Sequence, residues 1–155
     1  MTGELRAVLA RLIATQVCLH ACMTGFRMAA PLMALREGFS PAAVGVLLAL
    51  FALSQVFLAL PAGRFTDRHG LRRPIRVAVV TAVLGALPSA IWPIYPVLCL
   101  TALSCGAAAG LALIALQRHV GRLAQGATEL KQVFSWMAVA PSISNFLGPL
   151  VAGLV

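Results

Sequence analysis

The chain has 155 residues, of which 61% are hydrophobic and only 10% charged, against about 25% charged in a soluble domain. Its mean hydropathy of +0.95 calls for lipid as the solvent, so an all-α integral membrane fold is expected and a soluble globular fold is excluded. The net charge of +8 does not indicate nucleic acid, because the basic residues flank apolar runs rather than interleaving with aromatics in a polar segment.

A helix needs about 20 apolar residues to cross a hydrocarbon core of about 30 Å. Five segments meet that length, at about 12–35, 41–62, 75–92, 96–116 and 133–155. The first follows Arg6 and Arg11 and contains Arg27, and it is too long and too charged for a signal-peptide core. Gln16, His20 and Arg27 fall within about 40° of one another on a helical wheel, with Thr24 and Pro31 flanking. An ionised group inside a span costs roughly 2.5–3.5 kcal/mol on insertion scales, so this polar stripe is expected to face a protein interior or a water-filled path. Snorkelling of Arg27 to headgroups is the competing reading. Cys18, Cys22, Cys99 and Cys105 all lie in apolar runs. They are expected to be small buried hydrophobes; no ligand set completes a metal site, and no cofactor is expected.

The second segment opens at Ser40-Pro41, a capping residue followed by a first-turn proline. It is followed by Gly63-Arg64-Phe65-Thr66-Asp67-Arg68-His69-Gly70-Leu71-Arg72-Arg73, inside a basic loop expected at 63–76. Gly63 and Gly70 are expected to permit positive φ where the chain reverses. Asp67, the one acid among five arginines, can pair with Arg68 or Arg72 or sit against a helix N-terminus. The run fits Gly-x-x-x-Asp-Arg-x-Gly-x-Arg-Arg at Gly63, Asp67, Arg68, Gly70, Arg72 and Arg73. It resembles the loop signature between the second and third spans of the major facilitator superfamily of secondary transporters. The resemblance implies that these residues form a latch, which holds the cytoplasmic gate closed through contacts with the C-terminal half of a transporter.

The turn at Trp92-Pro93-Ile94-Tyr95-Pro96 is uncharged and carries two aromatics, as at a membrane interface. In the fourth segment, Gly106 and Gly110 form a Gly-x-x-x-Gly that suits close helix packing. Many proton-coupled drug transporters of the resembled superfamily carry an arginine where this chain has Ala102. The fifth segment contains Gly148-Pro149-Leu150-Val151-Ala152-Gly153. Gly148, Pro149 and Gly153 resemble a helix-bending motif of superfamily antiporters, with Ser144 and Ser135 standing where that pattern has glycines. Ser142 and Asn145 add polarity near the middle.

Orientation follows from the bases. Arg6, Arg11, Arg64, Arg68, Arg72, Arg73, Arg76, Arg118, Arg122 and Lys131 share one side, and only Arg36 lies on the other. The positive-inside rule places the N-terminus and the 63–76 loop in the cytoplasm, with the chain in the cell's inner or plasma membrane.

The resemblance implies a partial N-terminal six-helix bundle of the superfamily fold, occupying 1–155. It further implies alternating-access transport of a small organic solute, in the direction of efflux and coupled to protons. Gln16, His20, Arg27 and Asn145 are the expected pathway residues. The expected partners are that solute, membrane lipid, and the missing C-terminal half or another copy, but not nucleic acid. The chain is expected to be a truncated fragment of a twelve-span transporter. A non-transporting membrane subunit or regulator is the alternative. An enzyme is not expected, for there is no HExxH, no paired acids and no nucleophile–base pair.

Overall fold

Hydropathy marks where the hydrocarbon begins and ends, and the helices run past it at both ends. The computed structural model describes residues 3–123 and 126–154. Five α-helices follow one another: α1 (Gly3–Arg36), α2 (Pro41–His69), α3 (Arg72–Ile91), α4 (Tyr95–Leu123) and α5 (Ala127–Leu154). Val155 and the Arg6 side chain lie outside the described residues. All five helices are long and apolar enough to cross a membrane; α3, at 20 residues, rises about 30 Å.

The connections are shorter than the apolar runs suggest. α2 passes through Gly63 to His69 and α3 starts at Arg72, so the basic loop shrinks from 63–76 to Gly70 and Leu71. Likewise α4 and α5 consume most of the 117–132 link. A helix satisfies its own backbone in water as well as in lipid, so charge does not end it; a cap does. Gly70 supplies one here, with φ 69° and its N–H donated to the Thr66 carbonyl at 2.9 Å. At the other end of α2, Ser40 Oγ accepts from the Ala43 N–H at 3.3 Å, ahead of Pro41.

α4 is the hub, in contact with all four other helices, while α1 packs mainly on α5. Small residues set the distances. A side chain at Gly106 would run into the Phe51 backbone and Ser54 of α2, and one at Gly110 would press on Gln55. The Gly-x-x-x-Gly therefore packs α4 on α2 as its spacing suggests. On the opposite flank Thr101 Oγ1 donates to the Gly85 carbonyl of α3 at 2.7 Å. At the α3–α4 turn, Tyr95 stacks on Phe39 with ring centroids 4.8 Å apart and donates its hydroxyl to the Ala43 carbonyl at 2.8 Å.

Large apolar side chains such as Phe57, Leu60, Leu84 and Phe146 point outward, as lipid permits. The same solvent explains a departure among the cysteines. Cys105 is buried, but Cys18 and Cys22 of α1 are exposed, and all four thiols are unbridged. An apolar run in lipid does not imply burial within protein.

Candidate functional site

The basic end of the bundle carries a clasp between α2 and α4. Asp67, two residues before the end of α2, accepts hydrogen bonds from two arginines of α4. Arg118 Nη1 reaches its Oδ2, and Arg122 Nη2 reaches its Oδ1 at 2.9 Å. Both oxygens of one carboxylate are thus used, and the two arginines are four residues apart, one turn along the same helical face. The expected partners Arg68 and Arg72 are not the ones chosen; both are exposed, as is Arg73. The reason is helical geometry. Residues next to Asp67 along α2 radiate away from it, while α4 lies directly against that face.

Gly63 completes the clasp, in a different role from the turn residue its place in the motif suggests. It is buried within α2 and does not adopt positive φ. A Cβ there would come within 2.9 Å of Arg118 Nη2 and 3.4 Å of its Cζ. The glycine is a seat for the guanidinium, one turn before the carboxylate that holds it. Of the two motif glycines, only Gly70 supplies the reversal. Each group of the ion pair is two-fifths exposed or more, so its stability is worth about 0–1 kcal/mol and falls with salt.

The second cluster is the seam between α1 and α5. Thr24 Oγ1 donates to the Ser144 carbonyl at 2.9 Å, and Ser144 Oγ lies 3.2 Å from the Val17 carbonyl and 2.7 Å from that of Ala140. A Cβ on Gly148 would meet the Ala21 carbonyl at 2.7 Å and the Gly25 nitrogen at 2.8 Å, so the two backbones touch there. Ser144, which departs from the glycine of the resembled motif, is fully buried and stitches the helices together. Gly153 is exposed with nothing near its α-carbon face, and it is not a close-approach site. Helix α5 continues through Pro149. That residue has no N–H to give to the Asn145 carbonyl four residues back.

The polar stripe on α1 is graded rather than uniform. Gln16 is buried and its Oε1 has no hydrogen-bond partner, His20 is half-buried, and Arg27 is exposed. Asn145 is exposed on α5. No hydrogen bond or ion pair among the described residues joins these four side chains into one site.

Arg118 and Arg122 are the residues that linear reading passes over. Their signal was their spacing: an i, i+4 arginine pair at the end of α4 matches the i, i+4 pair Gly63 and Asp67 at the end of α2. Only the crossing of the two helices turns the match into contact. A family model described as Major Facilitator Superfamily matches residues 12–155. No curated protein and no solved structure matches the chain.

Proposed function

The chain belongs to the Major Facilitator Superfamily, and on that premise we propose that it serves a secondary transporter which exports a small organic solute by alternating access. The carrying observation is the clasp at the basic end. It unites the Gly63–Arg73 signature with Arg118 and Arg122 across two helices. In our reading the clasp fixes the ends of α2 and α4 as one rigid edge. Arg68, Arg72 and Arg73, exposed beside it, are left to grip a second bundle and hold that gate shut. The second bundle is the C-terminal half of a longer protein or another copy, since rocking access needs two bodies around one site. Weak, screened pairs let the gate open on each cycle.

The positive-inside rule supports a cytoplasmic N-terminus and a cytoplasmic latch, in the cell's inner or plasma membrane. Gln16, His20, Arg27 and Asn145 mark the solute pathway, and protons are the proposed coupling ion. Flexibility at Gly148-Pro149 allows α5 to bend as the bundle rocks.

The test is transport by the intact protein that carries this sequence. Expression in an efflux-deficient bacterial host should lower the accumulation of at least one compound in a panel of small organic solutes. Asp67→Asn should abolish most of that difference while leaving the amount of protein in the membrane unchanged. Equal accumulation with and without the protein would remove the transport reading. Full activity of Asp67→Asn would remove the latch.

A further inference from the structure

We infer that the pathway face of α1 is built for organic anions, with Arg27 as the anchor of the anionic group. The inference rests on the transporter reading above and deepens it by naming the substrate class.

The charge balance comes first. The chain has four acidic residues, Glu4, Glu37, Asp67 and Glu129. Glu4 and Glu129 sit in the first turns of α1 and α5, Asp67 sits near the end of α2, and Glu37 follows α1. None occupies the interior of a span. Arg27 lies nine residues inside the end of α1, with no ion pair or hydrogen bond to a described residue. A guanidinium has five donors and no acceptor, and it holds carboxylates, sulfonates or phosphonates in a two-pronged grip.

Direction comes second. Met23 and Ala30 of α1 pack in a cluster with Leu47 and Phe51 of α2 and Leu98 of α4, while Thr24 bonds α5. On the wheel Arg27 lies about 40° from Met23 and about 60° from Thr24, between the two contact faces. It therefore emerges in the angle between packed helices. Side chains on a helix lean toward its N-terminus. The nearer end of α1 is its C-terminus, about 13 Å away at Arg36. The lean thus carries the guanidinium toward the middle of the span, against snorkelling.

Wetness comes third. Pro31 has no N–H to give to the Arg27 carbonyl, and the Arg27 side chain is itself exposed without an ion pair to a described residue. Polar groups at hydrocarbon depth need water or a solute to satisfy them. His20 lies about 10 Å from Arg27 along the axis, on the N-terminal side, and the lean of Arg27 shortens that gap. The fitting ligand carries an anionic head on Arg27 and a polar group within about 10 Å that reaches His20.

The experiment reads the field at this face without knowing the solute. In the intact protein with its native cysteines replaced by serine, His20→Cys is labelled in membrane vesicles. The probes are the anionic methanethiosulfonate ethylsulfonate and its cationic trimethylammonium counterpart. The anionic-to-cationic rate ratio should fall about tenfold when Arg27→Gln is added and survive Arg27→Lys. Labelling by both reagents with a ratio indifferent to Arg27→Gln would overturn the anion assignment and leave the pathway standing. Labelling by neither would remove the pathway itself, and the anion site with it. Where His20→Cys yields no folded protein, Pro31→Cys, one turn beyond Arg27 on the same face, gives the same readout.

Discussion

Gly63 has the largest consequence for its size. Its missing side chain is the space that the Arg118 guanidinium fills, 2.9 Å from where a Cβ would stand. Gly63→Leu should expel Arg118 and cost transport as heavily as Asp67→Asn. Thermal unfolding in detergent should shift by no more than about 1 kcal/mol for Asp67→Asn, because an exposed ion pair contributes little to stability. A variant that loses transport only in proportion to its stability would make the clasp a packing feature. The motif was fully legible as a pattern of residue types. Its physics was not, because Asp67 has basic neighbours on both sides in sequence and takes its partners from 51 and 55 residues away.

Among the elements, the α1–α5 seam shows how a membrane bundle coheres without a hydrophobic drive between helices. Lipid tails are as apolar as any side chain, so close backbone contact and interhelical hydrogen bonds must do the joining. Gly148 and Gly25 supply the contact, and Thr24 and Ser144 supply the bonds. Gly148→Ala would place a methyl against the α1 backbone, which cannot rotate aside as a long side chain can. It should lower stability by about 1–3 kcal/mol, read as loss of the monodisperse peak on heating. Gly153→Ala, with open space around it, should have no such effect and serves as the control. The Gly-Pro motif led to Gly148 from sequence; nothing in the sequence distinguished Gly148 from Gly153, since the difference is only which of them faces α1.

At the scale of the whole molecule, two pairs of helices carry the bundle. α4 lies against α2 and α1 against α5, each through a seam of small residues. The basic ends gather Arg68, Arg72, Arg73, Arg118 and Arg122 near one face. A reporter fused after Leu71 should read cytoplasmic and one fused after Pro93 should read external. The reverse pattern would invert the proposed orientation and move the latch to the wrong side.

The sequence by itself determined the solvent, the number of long helices and the family. Each depends on local quantities: runs of apolar residues matched to the thickness of a hydrocarbon slab, and residue types at fixed spacing in one short stretch. It did not determine where the helices stop, which cysteines are covered or which cation Asp67 holds. Those were decided by the tertiary structure. A cap rather than a change in polarity ends a helix, hydropathy reads the same for a side chain facing lipid as for one covered by protein, and a carboxylate on one helix finds its arginines only when another helix is laid across it.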